Sequence, residues 1–291
     1  MFNLNERPEI TDSGPFSYPE SNIELYIRRL ELIDPVYGGN KWFKLKYNIL
    51  KIKEKGYKSV VTFGGAYSNH IAAVARVGKI CGIPTTGIIR GETNALQNQT
   101  LTRAHEDGMH LIFCSREKYR QKTDPGFLNA FLPDTENYMV IPEGGSNLEG
   151  INGAKEIISD KDQKFDAVTV ACGTGATAAG LILNMKSHQH LFGINVLRGN
   201  NGIKSDIEKW TNHYDGPSWS VENDYHFGGY GKSDPILNLF VETFEVNFGI
   251  KIEPVYTGKM FFGLEQIIKS GKIKQGSKVL AIHTGGLQYL G

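Results

Sequence analysis

Residues 165–180 read FDAVTVACGTGATAAG. The first half is a short β-branched run of the kind found in strands buried on both faces. Two closely spaced glycines, Gly173 and Gly175, then allow a tight turn, and a helix of small residues follows from Thr177 to Lys186. Strand, glycine turn and helix in that order are half of a βαβ unit, which commits this part of the chain to a parallel sheet. The same unit recurs in both directions. Upstream come IELYIRRL (23–30), SVVTFGG (59–65), TTGIIRG (85–91), HLIFCS (110–115) and YMVIPEGG (138–145), separated by helix-period segments over 68–81, 95–107 and 150–159. Downstream come LFGINVL (191–197), a looser region over 199–233, helices near 235–248 and 258–270, and KVLAIHTGG (278–286). The fold expected is therefore α/β, with open parallel sheets covered on both faces.

Bulk composition narrows the function. The 291 residues are 40% hydrophobic and 22% charged, with 32 basic against 31 acidic residues and a formal net charge of +1. Nothing in that balance asks for nucleic acid or an anionic membrane as partner. The three cysteines, Cys81, Cys114 and Cys172, are scattered, which fits a reducing compartment and speaks against a disulfide framework or a zinc knuckle. No apolar run approaches a membrane span and the N-terminus lacks a signal-like core, so a cytoplasmic protein without a metal centre is expected.

Ligands of open α/β sheets gather beyond the C-terminal ends of the strands. Four glycine-rich segments are placed to meet there: Gly38-Gly39-Asn40-Lys41, VTFGGAYSNH (61–70), ACGTGATAAG (171–180) and AIHTGG (281–286). Gly173, Thr174, Gly175, Ala176 and Thr177 offer hydroxyls and free N–H groups to an anion. The loop also satisfies a loose dinucleotide fingerprint, but the next strand ends in Leu197 and Arg198 without the acidic residue that would hold a ribose. HFGGYGKS (226–233) is no P-loop, because His226 stands where the first glycine is required. One phosphate loop plus one lysine, Lys41, set after two glycines and before a helix whose Lys44, Lys46, Lys51, Lys53 and Lys55 read as a solvated face, suggests pyridoxal 5'-phosphate. Asn40 is suited to cap that helix, and a lysine of depressed pKa is the amine an aldehyde needs.

Five segments then resemble a known family. Gly38–Lys41, Ser68-Asn69-His70, Cys172–Gly175, EPVYTGK (253–259) and His283-Thr284-Gly285-Gly286 occur in the order found in fold-type-II pyridoxal-phosphate enzymes related to the tryptophan synthase β-subunit. The branch resembled contains D-cysteine desulfhydrase and 1-aminocyclopropane-1-carboxylate deaminase. The resemblance implies that Lys41 carries the cofactor as a Schiff base, that Asn69 meets its ring oxygen and that 173–177 hold its phosphate. It implies that Ser68, Tyr256 and Tyr230 face a small amino-acid substrate, with the α-proton base left open among Lys41, Ser68 and Tyr256. His70 reads equally as structural or functional. Cyclopropane deaminases place a glutamate at the ring nitrogen; here Thr257, with Thr284 nearby, favours D-cysteine-type elimination over ring opening. A non-catalytic cofactor binder and a nicotinamide oxidoreductase are compatible with the same residues and stay open at this point. Phe43 and Tyr67 depart from the family pattern, and Tyr67 is expected to crowd the substrate carboxylate. The resemblance further implies a homodimer, and a small domain over 45–145 inserted in a large one formed by 1–44 and 146–291.

Overall fold

The computed structural model describes residues 6–18, 20–34, 38–91, 98–132, 137–199, 202–212 and 214–287. Among the described residues ten strands form two sheets. They are β1 (Asp12–Tyr18), β2 (Ile23–Arg29), β3 (Ser59–Gly65), β4 (Thr85–Arg90), β5 (His110–Cys114), β6 (Tyr138–Ile141), β7 (Ala167–Cys172), β8 (His190–Asn195), β9 (Ser218–Glu222) and β10 (Lys278–His283). The helices among the described residues are α1 (Asn40–Lys55), α2 (Asn69–Cys81), α3 (Gln99–Glu106), α4 (Arg116–Tyr119), α5 (Leu148–Lys155), α6 (Ala176–Ile182), α7 (Ile203–Thr211), α8 (Pro235–Phe248) and α9 (Thr257–Lys269).

The six-stranded sheet runs β1-β2-β10-β7-β8-β9 and the four-stranded sheet β5-β4-β3-β6. Every pairing is parallel except β1 with β2. The α/β expectation holds, and the antiparallel edge β1 is an addition to it. Alternation in β7 shows why its sequence is continuously apolar. Val168 and Val170 enter one buried cluster while Ala167 and Ala171 enter the cluster on the opposite face.

Both sheets reverse direction at their middle. From β3 the chain winds outward through β4 and β5, then returns to the other side of β3 as β6. From β7 it winds through β8 and β9, and returns beside β7 as β10. These are the switch points at which a crevice opens beyond the strand ends. The four turns involved are 65–70, 142–146, 172–176 and 284–286.

Two segments in the supposedly loose region 199–233 are regular, α7 and β9. Their sequences, IKSDIEKWT and SWSVE, are short and polar, and β9 pairs only with β8 at the sheet edge. The expected helix over 95–107 is present from Gln99, and its opening residues fall outside the described ones.

Close helix packing carries α1 into place. A Cβ on Gly153 of α5 would lie 1.9 Å from the carbonyl oxygen of Phe43, and one on Gly180 of α6 would lie 2.4 Å from the Cβ of Ala154. Glycine-to-alanine changes inside helices are ordinarily favourable by roughly 0.5–1 kcal/mol. Gly153→Ala should reverse that sign and cost about 3 kcal/mol, because backbone rather than a flexible side chain must yield. Gly56→Ala, at a left-handed position with open space around it, should cost only about 1 kcal/mol. Urea midpoints of the two variants measure the difference.

Candidate active site

The switch points of both sheets open into one cavity of about 640 Å³. Three groups of residues wall it. The start of α1 contributes Asn40, Lys41 and Lys44. The four-stranded sheet contributes Gly65, Ser68, Asn69, His70, Arg90 and Glu143. The six-stranded sheet contributes Gly173, Thr174, Gly175, Thr177, Tyr230, Tyr256 and Thr284. Of the residues expected at the site, the structure brings all but Ala176 and Thr257 to the cavity wall.

Lys41 holds its amine in a poorly hydrated place at the start of α1. Desolvation lowers its pKa from 10.5 to about 8. Its Nζ donates to Asn40 Oδ1 at 2.9 Å, and Asn40 Nδ2 donates to Thr177 Oγ1 at 2.8 Å. Asn40 is therefore not the helix cap; Gly39 holds that position, and the Asn40 side chain links the amine to the glycine loop instead. On α2 the cap is Ser68, whose Oγ accepts from the Ile71 N–H at 3.3 Å. Asn69 begins the helix itself, and its amide lies so near Gly286 that a Cβ there would be 2.5 Å from Asn69 Nδ2.

Lys44 corrects the reading of α1 as a solvated basic face. It is 2% exposed and lines the cavity, and its Nζ, unlike its carbonyl oxygen, makes no hydrogen bond among the described residues. Burial first, and the charge of Lys41 second, push its pKa well below the usual lysine range. Lys46 is buried too, with its Nζ 2.8 Å from Glu156 Oε2. The periodicity that could have flagged Lys44 was available, since i and i+3 share a helix face.

His70 also lines the cavity, 2% exposed. Thr62 Oγ1 donates to the Ile141 carbonyl at 2.7 Å and so accepts from His70 Nε2 at 2.8 Å. Nδ1 is left buried without a hydrogen-bond partner. Burial, Lys41 and Lys44 together hold the ring neutral by lowering its pKa.

On the other wall, Ser146 Oγ donates to Thr174 Oγ1 at 2.6 Å and steadies the loop. Glu253, fully buried, accepts from the N–H groups of Val255, Tyr256 and Thr257 and from Thr257 Oγ1 at 3.1 Å. That commitment is why Thr257 misses the cavity: its hydroxyl is turned into the Glu253 network. Lys259 Nζ donates to the Gly229 carbonyl at 2.7 Å and fixes the loop that carries Tyr230. Tyr230 meets Tyr256 edge to face at 6.0 Å, and burial raises its phenol pKa so that it stays protonated. Tyr67 is 52% exposed and does not line the cavity, so it does not crowd the site.

An amine of depressed pKa beside an unneutralised buried lysine, facing a glycine-rich loop, suits an aldehyde that carries a phosphate. The comparisons with known proteins agree. The profile of the pyridoxal-phosphate dependent enzymes matches residues 10–285. The chain belongs to that family. A Pyrococcus horikoshii protein provisionally named a 1-aminocyclopropane-1-carboxylate deaminase is 30% identical over 290 residues, covering 92% of this chain and 86% of its own. The Arabidopsis thaliana mitochondrial protein named bifunctional D-cysteine desulfhydrase/1-aminocyclopropane-1-carboxylate deaminase is 29% identical, covering 91% and 72%. The crystal structure of an ACC deaminase homologue superposes with a TM-score of 0.75 at 28% identity, covering 93% of this chain and 86% of that one. The protein is a pyridoxal-phosphate-dependent enzyme of fold type II, and the nicotinamide reading falls. Among the described residues no helix is long and apolar enough to cross a membrane and no cluster of metal ligands occurs.

The depressed pKa of Lys41 has a direct consequence. In protein stripped of cofactor, added pyridoxal phosphate should restore the visible band at a rate that rises with pH and is half-maximal near pH 8. A midpoint near the 10.5 of an exposed lysine would show that water reaches the amine.

Proposed function

We propose that the enzyme eliminates the β-substituent of a small amino acid, D-cysteine first. Water is consumed and pyruvate, ammonia and hydrogen sulfide are released. The observation that carries this reading is the wall beneath Tyr256. The residue there that lines the cavity is a hydroxyl, Thr284, and the neighbouring carboxylate, Glu253, is committed to backbone N–H groups away from it. The carboxylates lining the cavity among the described residues are Glu143, ion-paired to Lys122 at 3.3 Å, and Asp206 on α7. A ring nitrogen without a carboxylate partner suffices where the leaving group is a good one.

Bound pyridoxal phosphate supplies the electron sink for this chemistry. Lys41 would bind its aldehyde, and Asn69 would donate to its ring oxygen. Lys44 and the loop from Gly173 to Thr177 would hold its phosphate, with Ala176 contributing through its place at the helix start rather than at the cavity wall. Thr284 replaces Thr257 as the hydroxyl on the ring-nitrogen side. Ser68 and the first turn of α2 orient the substrate carboxylate. Tyr230 stays protonated and donates a hydrogen bond rather than accepting a proton. Lys41, whose amine burial depresses to about 8, is the residue best matched to take the α-proton. Tyr256, in contact with Tyr230, positions the substrate's side chain.

A second reading, ring opening of 1-aminocyclopropane-1-carboxylate with water to 2-oxobutyrate and ammonia, is favoured by the names of the relatives. The same proposal includes a homodimer and a cytoplasmic setting, the latter supported by three free cysteines. It includes the inserted domain over 45–145, supported by the confinement of the four-stranded sheet to Ser59–Ile141.

Keto-acid release from the two amino acids by the cofactor-loaded enzyme discriminates the readings. We expect pyruvate with stoichiometric sulfide from D-cysteine, and turnover reduced at least about 10³-fold in Lys41→Ala. 2-Oxobutyrate alone would transfer the assignment to ring opening. Release of neither, with the visible band present, would move the assignment to another small amino acid.

A further inference from the structure

Arg90 ends β4 at the C-terminal edge of the four-stranded sheet and lines the cavity. Its guanidinium carbon lies 5.9 Å from the ring centroid of Tyr230 and 5.8 Å from that of Tyr119. Tyr119 is 2% exposed. Two aromatic faces thus fix the planar group without using its N–H fork. Among the described residues no carboxylate forms an ion pair with Arg90. Glu143, an acid on the same wall, is already paired with Lys122. Gly65 leaves the space in front of the fork open. A Cβ there would stand 3.4 Å from Arg90 Nη2 and 3.7 Å from the Tyr230 ring, and Gly65 closes the strand that leads to Ser68.

A free arginine fork at this place has a chemical counterpart. Bidentate carboxylate or a comparable anion matches its geometry, and the exposed side chain keeps that fork accessible from the cavity. The Schiff lysine and the phosphate loop account for Lys41 and Lys44, and the Ser68 turn accounts for the substrate's α-carboxylate. Arg90 is left over by that assignment.

We propose that Arg90 is a specificity residue receiving negative charge on the β-substituent of the substrate. The enzyme's amino acids would then carry a second anionic group there, a thiolate that departs or a carboxylate that stays. This deepens the reading of the site as one for small amino acids and rests on it.

Aspartate and asparagine test it, because they share a shape and differ in charge. Each enantiomer is titrated into the cofactor-loaded enzyme, and binding is read from the shift of the visible band as the amino group displaces Lys41. For one enantiomer, aspartate should bind at least about tenfold tighter than asparagine. Arg90→Gln should bring that ratio close to one while leaving the band of the free enzyme unchanged, and Arg90→Lys should restore part of it. Equal affinities in the unmodified enzyme, no shift with either enantiomer of aspartate, or a preference that survives Arg90→Gln would each overturn the proposal. The D-cysteine assay is independent. An aspartate preference without sulfide release would retain Arg90's role and reject the elimination, and sulfide release without the preference would do the opposite.

Discussion

The first turn of α1 docks on a bare carbonyl. Gly39 has φ +71, and a Cβ on it would lie 2.0 Å from the carbonyl oxygen of Thr284. The same carbonyl accepts from the Asn40 N–H at 3.3 Å. Only a residue without a side chain can bring the two backbones together in this conformation. The contact joins a segment near the start of the chain to the end of its last strand, and Lys41 is the second residue beyond it. Behind it, His283 Nδ1 lies 3.0 Å from Glu31 Oε2, and its Nε2 donates to the Lys251 carbonyl at 2.8 Å. Ahead of it, Gly286 admits Asn69. The placement of the reactive amine therefore depends on the closure of the six-stranded sheet rather than on α1 alone.

That placement comes with an electrostatic cost which the cavity distributes. Two lysines on one helix face, both taken out of water, sit beside His70; the charge of Lys41 lowers the proton affinity of Lys44, and both lysines lower that of the imidazole. The polar groups around them are committed elsewhere: Asn40 to Thr177, Thr174 to Ser146, Glu253 to the backbone of 255–257. No acid on these segments neutralises the lysines. A dianionic phosphate would supply the negative charge that these segments withhold, which makes the lysines complementary to it by omission as much as by contact.

The sequence made the architecture legible because strands buried on both faces leave continuous apolar runs, as β3, β7 and β10 do, and because glycine turns mark the strand ends where ligands collect. It concealed β1 and β9, which are polar and held by edge pairing, and α7, whose buried face is only Ile203, Ile207 and Thr211 in an otherwise polar stretch. Site residues in motifs were legible one by one. Lys44 carried a signal that the basic composition of the helix masked: it lies three residues after Lys41 and shares its face, and the close approach of α5 through Gly153 packs against the same turn. Thr257 failed for another reason. Its hydroxyl had a nearer partner in Glu253, four residues earlier, and a local network of that kind outcompetes a distant ligand.

The departures from the family pattern fall where they leave the reaction centre intact. Phe43 is fully buried among the helices and holds the α1–α5 contact by its backbone. Tyr67 keeps its exposed ring out of the lining of the cavity. The wall from α1 and the six-stranded sheet keeps the amine, the phosphate loop and Thr284, and the start of α2 on the four-stranded sheet adds Ser68 and Asn69. Beyond these, the four-stranded sheet carries Arg90 beside two tyrosines and Lys122 paired with Glu143. If Arg90 receives the substrate's side chain as proposed, changes at the ends of β4 and β6, away from the start of α2, would alter which side chain is accepted while Lys41, Asn69 and the glycine loop keep their places.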